Sequence, residues 1–274
     1  MSKPRILFVS SEMLPYTEEN SVSSLARILP QKTQENGKEI RNFMPRFGCI
    51  NERKHQLHEV IRLSGINIIV NEIDHPLIVK VASIQQAKMQ VYFIDNEDYF
   101  KRKAHLNDPE KNKIFPDTDE RMIFFGKGVP ETLKKLGWAP HIIHISGWMS
   151  ALVPLYIKEY FKDEPIFADS QIVVSVFNDG FSGKVDKKLI EKIEKDGINI
   201  DNYEELKNPT HENLIKMCCR LADVVVTPEK LSKELNKVVS NTAKEVKSEI
   251  DMENAPEMYN QIFDEVLEKI PELA

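Results

Sequence analysis

The stretch RILFVS at Arg5–Ser10 decides the fold class. This short β-branched and aromatic run, bounded by polar residues, has the pattern of a strand buried in a parallel sheet. Residues 21–36 then carry apolar residues at helical spacing, and Gly37 stands where a helix C-cap is expected. KEIRNFM at 38–44 predicts the next strand. The order strand, helix, strand predicts a parallel βαβ unit with a right-handed crossover.

The same alternation returns in the second half of the chain. HIIHI, QIVVSVF and ADVVVT, at 141–145, 171–177 and 222–227, read as further buried strands. Residues 57–95 instead alternate apolar and polar side chains, which predicts a β-meander. Apolar stripes and end signals predict helices at 119–136, 150–161, 187–196, 213–221 and 229–247.

Residues 256–270 carry apolar side chains every four residues, so we expect an amphipathic helix docked on the domain. The predicted fold is therefore α/β: a single Rossmann-like lobe with a central, mostly parallel sheet, an inserted β-meander and a C-terminal helix. We expect one domain over 1–250 and a docked helix over 251–274.

Composition excludes several classes of protein. The hydrophobic fraction of 41% and charged fraction of 29% are typical of a folded globular chain. The formal net charge of −6 disfavours binding to nucleic acid and to anionic membranes. The N-terminal apolar run is too short for a signal peptide, and no segment is long enough to span a bilayer.

The cysteines Cys49, Cys218 and Cys219 have neither metal-ligand nor disulfide spacing. We interpret all three as reduced, small apolar residues of a cytoplasmic protein. The sequence indicates no metal and no cofactor, and it does not indicate an oligomeric state.

The loop after the first strand is the first candidate site, because ligands of open α/β sheets bind beyond the carboxyl ends of strands. It carries Glu18 and Glu19 and lacks glycine, so the backbone cannot easily approach a pyrophosphate and the charges oppose one. Two interpretations of this loop stay open: it binds phosphate, or its glutamates form an acidic cap of the following helix.

Two further strand ends carry candidate residues. His144 ends a strand and Trp148 follows a glycine that marks a turn, so each fits either a binding site or the core. FNDGFSGKV at 177–185 is a shaped loop that contains Asn178 and Gly183, and it fits either a binding loop or a plain turn.

Several segments, taken in order, resemble landmarks of the N-terminal domain of bacterial glycogen synthases and plant starch synthases. The resemblance is collinear from Pro4 to about Leu235, which makes the set more specific than any one motif. The segments are ILFVSSEMLPY (6–16), MPRFGCI (44–50), FIDNEDYFKR (93–102), DERMIFFGKGV (from 119) and GWAPHIIHISGWMSALVPLYIK (137–158).

The resemblance implies a two-lobed retaining glucosyltransferase with Rossmann-like halves, which extends an α-1,4-glucan from a sugar nucleotide. Several family motifs are altered here. The family's K-T-G-G-L, expected at the donor's phosphates and sugar, is replaced by Glu18, Glu19, Asn20, Ser21 and Val22. The change from lysine to glutamate reverses the charge that would face a diphosphate.

Two motifs of the sugar site are altered as well. The family's H-x-H-D-W-H keeps only its first histidine and its tryptophan, and T-V-H-N loses its histidine. Lys216 lies where the family often has a lysine. The corresponding residues are His144, Ile145, Ser146, Gly147, Trp148 and Met149 in the first motif, and Ser175, Val176, Phe177 and Asn178 in the second.

The chain also ends where the family's second lobe would begin, and that lobe supplies electrostatic support for the leaving diphosphate. Our first hypothesis is a degenerate, noncatalytic relative that binds an α-glucan or a partner in storage-polysaccharide metabolism. The second is a glucosyltransferase subunit, transferring from ADP-glucose to an α-1,4-glucan, that needs a separate second lobe. The third is a binding module whose ligand is unrelated to sugars.

Overall fold

A computed structural model describes residues 3–248, 250 and 254–270. Ten of its strands form one sheet, and two short strands form a separate hairpin. The strands of the sheet are β1 (Arg5–Ser10), β2 (Glu39–Pro45), β3 (His58–Glu59), β4 (Ile66–Val70), β5 (Ile73–Ile84), β6 (Met89–Asp95), β9 (Ile142–Ser146), β10 (Gln171–Ser175), β11 (Val224–Val226) and β12 (Val246–Lys247), and the hairpin is β7 (Asn107–Asp108) with β8 (Lys113–Ile114).

The sheet order is β12-β11-β10-β9-β1-β2-β6-β5-β3, with β4 also paired to β5. Every neighbouring pair from β12 to β6 is parallel. From β6 outward the pairs are antiparallel, and these strands form the predicted meander. The predicted α/β architecture with a mostly parallel sheet is therefore confirmed.

Helices cover both faces of the sheet, as parallel strands buried on both sides require. Two helices follow their sequence signals closely: the first ends just before Gly37, which has φ +86°, and another ends at Gly137 with a left-handed backbone, φ +61°. The helices are α1 (Ser21–Glu35), α2 (Glu52–His55), α3 (Glu97–Phe100), α4 (Thr118–Leu136), α5 (Val153–Leu155), α6 (Leu189–Lys195), α7 (His211–Leu221), α8 (Lys233–Thr242) and α9 (Ala255–Leu267).

Two sequence predictions were wrong in detail. The single helix expected at 150–161 is a 3₁₀ turn, the short α5 and a π-helical turn over Tyr156–Tyr160. Pro154 lies inside this segment and cannot donate a backbone hydrogen bond. The helix expected at 229–247 is only the shorter α8, and its last predicted residues form the edge strand β12.

The helix α9 packs against α1 and β9 and buries Tyr259 and Phe263. An ion pair between Lys38 Nζ and Asp264 Oδ1, 2.7 Å apart, joins α9 to the residue before β2. Residues 251–253 and 271–274 of the predicted terminal segment lie outside the described residues, and the proposed division near residue 250 stays a prediction.

The cysteines are free, as expected, but they differ in environment. Cys218 and Cys219 are buried on α7, whereas Cys49 is exposed. None of the helices in the described ranges is long and apolar enough to cross a membrane.

Candidate functional site

A cleft of about 500 Å³ lies beyond the carboxyl ends of β1 and β10, where open parallel sheets bind ligands. The loop after β1, the segment before β7 and the loop after β10 form its walls. We call it the carboxyl-edge cleft. It is lined by Glu12, Asn20, Ser21, Val22, Lys103, Ala104, His105, Leu106, Asn107, Pro109, Phe177, Asn178, Asp179 and Glu229.

Glu12 is the most perturbed acid of the cleft. The residue is 5% exposed, and its Oε1 accepts a hydrogen bond of 2.9 Å from Asn20 Nδ2. Burial raises the pKa of Glu12 to about 7, with further upward contributions from Asp179 and Glu18 that the Asn20 bond partly opposes. Near neutral pH this carboxyl group can therefore either donate or accept a hydrogen bond.

His105 lies beside Glu12, with His105 Nδ1 3.5 Å from Glu12 Oε1. Burial lowers the pKa of His105 to about 4, and the charge of Arg121 lowers it further in the same direction. At neutral pH the imidazole is therefore neutral, so the contact is not a salt bridge. Sequence inspection singled out neither residue, because their pKa shifts arise from burial in the folded chain.

Asp179 joins the loop after β10 to the loop after β9. Its Oδ2 accepts a hydrogen bond of 2.9 Å from the backbone N–H of Trp148, which follows β9. Gly147 precedes that N–H with φ +79°, and a Cβ at this position would lie 1.7 Å from Ser11 Oγ. The loops after β1 and β9 therefore approach so closely that only glycine fits at position 147.

The loop after β1 caps α1 with its own side chains. Asn20 Oδ1 accepts from the backbone N–H of Ser23 at 2.8 Å, and Ser23 Oγ donates to the carbonyl oxygen of Glu18 at 2.8 Å. The helix N-terminus is thus already hydrogen-bonded. Glu18 and Glu19 are exposed outside the cleft, whereas Asn20 and Ser21 line it.

His144 lies in the core rather than in the cleft. It is 2% exposed, and its Nε2 is 2.7 Å from Ser175 Oγ, which is in turn 2.5 Å from the Tyr259 hydroxyl. The ring of Phe263 packs against it from α9, and burial lowers the pKa of His144 to about 3. A ligand-binding role for His144 stays a prediction that this position does not favour.

The other candidates are scattered. Trp148 is buried, with its ring centroid 4.6 Å from that of Phe181. Asn178 lines the cleft, and its Nδ2 donates to Glu229 Oε1 at 3.0 Å. Gly183 has φ +88° and Lys216 is exposed on α7, and neither lines the cleft. The structure thus brings together Asn20, Ser21 and Asn178, and their binding roles stay predictions.

Metal ligation finds no support in the described part of the chain, where no group of three or more histidine, cysteine or acidic residues is placed to hold an ion. The polar side chains that line the cleft are carboxyl groups and amides, with one hydroxyl group, one imidazole and one lysine. Such groups can exchange hydrogen bonds with hydroxyl groups without a metal.

Comparison with known proteins identifies the family. The model of the starch synthase catalytic domain matches residues 5–244. The chain belongs to this family. Glycogen synthases of Chlorobium luteolum and Chlorobium limicola are each 34% identical over 227 residues, which is 83% of this chain and 46% of the relative. The chain thus spans about half the length of the curated relatives it matches.

A solved structure supports the fold of the family member. The catalytic domain of Starch Synthase IV from Arabidopsis thaliana, bound to ADP and acarbose, superposes with a TM-score of 0.71. The match covers 92% of this chain and 53% of that one at 16% identity, so it concerns the fold alone. The expected resemblance to the N-terminal half of the synthases is confirmed.

Proposed function

We propose that this family member binds an uncharged α-glucan in the carboxyl-edge cleft and does not itself transfer glucose. The observation that carries the proposal is the charge of the cleft: Asp179 and Glu229 are its carboxylates, Glu12 is an acid with a pKa of about 7, and Lys103 is the single lining cation. The residues of the site, rather than the extent of the chain, support this function. A cytoplasmic location, expected from the reduced cysteines, is part of the same proposal.

A sugar nucleotide fits this cleft poorly. Its diphosphate would meet the carboxylates of Asp179 and Glu229, and the neutral His105 offers no compensating charge. The N-terminus of α1, which could otherwise bind an anion, is capped by Asn20. Glu18 and Glu19 add two further negative charges near that helix end. Like charges in a partly desolvated cleft oppose one another, so nucleotide affinity should be low.

A neutral polyol suits the same groups. Sugar hydroxyls can donate to Asp179 and Glu229 and can accept from amide groups such as that of Asn107. Glu12 can take either role because its pKa is about 7. The carboxylates do not repel uncharged hydroxyl groups, and each hydrogen bond contributes about 1 kcal/mol net to the free energy of binding.

The test is direct binding with two ligands. We expect glycogen or a malto-oligosaccharide to retain the protein, and calorimetry with ADP-glucose and ADP to show no micromolar binding. Replacing Lys103 and Asn107 together with alanine should weaken glucan binding about thirty-fold, because each side chain loses one hydrogen bond of about 1 kcal/mol. The matched control is Lys162→Ala, an exposed lysine outside the cleft.

Two results would contradict this function. Glucose incorporation from ADP-glucose by the purified chain would show that it is catalytic. Glucan binding unchanged in the Lys103 and Asn107 double variant would place the ligand elsewhere.

Membership of the starch synthase catalytic domain family, matched over residues 5–244, favours a second candidate, a glucosyltransferase subunit that works with a separate second lobe. Co-purification of such a lobe with the appearance of glucose transfer would support it.

A further inference from the structure

A second cavity, of about 580 Å³, lies at the opposite ends of the parallel strands, where β2 and β6 begin. We call it the amino-edge groove. Its walls come from the residues before β1 and β2, from the end of α1 and from the turn between β5 and β6. Because β1 has six residues at about 3.3 Å each, roughly 17–20 Å separate this groove from the carboxyl-edge cleft. The two cavities cannot share one small ligand.

The charge of the amino-edge groove is the reverse of that of the cleft. Lys3, Lys38, Arg41 and Lys88 line it, and Glu39 is the acidic residue among the lining groups. This concentration of cations occurs on a chain whose formal net charge is −6. A local positive groove on a negative protein attracts an anion specifically to that place, because confined walls focus the field.

Two of these cations are already engaged. Lys38 is 6% exposed and is held by Asp264 of α9 at 2.7 Å. The Arg41 guanidinium lies 5.4 Å from the Trp138 ring centroid, and its Nη2 is 3.4 Å from Glu39 Oε1. The Glu39 carboxylate also accepts from Trp138 Nε1 at 2.7 Å. These contacts hold the floor of the groove in place.

The other two cations are available to a ligand. Lys3 and Lys88 are exposed and have no ion-pair partner among the residues that the structure describes. With Asp264 offsetting Lys38 and Glu39 offsetting Arg41, the groove keeps two uncompensated positive charges. Arg41 Nε is buried without a hydrogen-bond acceptor beside the same groove.

We propose that the amino-edge groove binds a small phosphate ester in its dianionic form. Two free positive charges match the charge of a phosphate monoester at neutral pH, which is about −1.5 to −2. The volume is within the range of small-molecule sites. The amide side chains of Gln85 and Gln90 line the groove and can bond to the hydroxyl groups of the esterified part.

Glycerol 3-phosphate is the probe, with glycerol as its uncharged counterpart and inorganic phosphate as the arm without an organic part. Calorimetry and amide chemical-shift changes in the full chain are the readouts. We expect saturable binding of glycerol 3-phosphate, with shifts at residues 38–41 and 83–90, and no binding of glycerol. Affinity should fall below about pH 6, where the phosphate becomes monoanionic.

Single substitutions test the two free lysines. Lys3→Gln and Lys88→Asn should each reduce affinity about ten-fold, which is the loss of one charge-assisted hydrogen bond. Asparagine is chosen at position 88 because that residue has φ +50°, which asparagine tolerates. The matched control is Lys162→Gln, an exposed lysine elsewhere.

Several outcomes would overturn the site: no binding in the millimolar range, shifts that map to another surface, or equal losses in Lys162→Gln. Inorganic phosphate binding as tightly as the ester would replace the ester by free phosphate as the ligand. Glucan binding in the carboxyl-edge cleft should not change in Lys3→Gln or Lys88→Asn, so failure here is separable from failure of the proposed function.

Discussion

His144 and Glu12 are both buried titratable groups near the carboxyl ends of parallel strands, yet their surroundings differ. His144 lies on the sheet face that α9 covers, and its imidazole bonds to Ser175. Glu12 lies at the wall of an open cleft with Asn20 and His105 as neighbours. Burial shifts both pKa values, but only Glu12 can meet a ligand. A perturbed pKa therefore indicates a candidate site only where a cavity adjoins it.

The largest expected effect concerns the covered region. Phe263→Ala should destabilise the fold by about 3–5 kcal/mol, because it opens a cavity between α9 and the His144 ring. Urea unfolding would measure it. Phe181→Ala, on the open side against Trp148, is the control and should cost less because Phe181 is only partly buried. If both variants lost the same free energy of unfolding, the proposed difference between the covered and the open region would be contradicted.

The next effect is a pH dependence from His144. Its folded-state pKa of about 3 is below the ordinary 6.5, so the unfolded chain binds the proton more readily in that window. Stability should therefore fall as the pH drops below 6.5, by about 1.4 kcal/mol per pH unit from this group. His144→Gln should flatten the slope between pH 6.5 and 4.5. The exposed His58, changed to Gln, should leave it unaltered.

Glu12 should act in the opposite sense. Its folded-state pKa of about 7 exceeds the ordinary 4.5, so the folded chain binds the proton more readily between these values. The free-energy cost of burying the ionised carboxylate is absent at pH 4.5 and grows as the pH rises to 7. Glu12→Gln should therefore stabilise the protein at pH 8 by about 1–2 kcal/mol. Thermal unfolding at pH 5 and pH 8 would check it, with exposed Glu19→Gln as control.

The smallest effect belongs to the helix cap at the cleft. Asn20→Ala should cost about 1 kcal/mol, since it removes the acceptor for the Ser23 backbone N–H. It also removes the donor to Glu12, so the pKa of Glu12 should rise further. Asn20→Gly should cost only a few tenths of a kcal/mol. NMR titration of the Glu12 carboxyl group measures the shift, and an unchanged pKa would contradict the assigned hydrogen bond.

Much of the fold could be predicted because its signals are local. The β1 run and the Gly37 and Gly137 end signals act within a few residues, and each led to a strand or helix at nearly the expected place. The strand β12 was missed because two residues at a sheet edge carry too little pattern to separate them from the helix before them. The broken helix around Pro154 was missed because the apolar stripe continues through it.

The sequence by itself determined the parallel strands, the inserted meander and the acidic character of the loop at Glu18 and Glu19, since each depends on neighbouring residues. Only the tertiary structure decided that His144 faces the core and Glu12 a cleft. Every residue of β9 is buried, so alternation along that strand cannot identify which face each side chain joins. Side chains of α9 surround His144, and residues near position 105 lie beside Glu12. Only the folding of the chain brings these distant segments there.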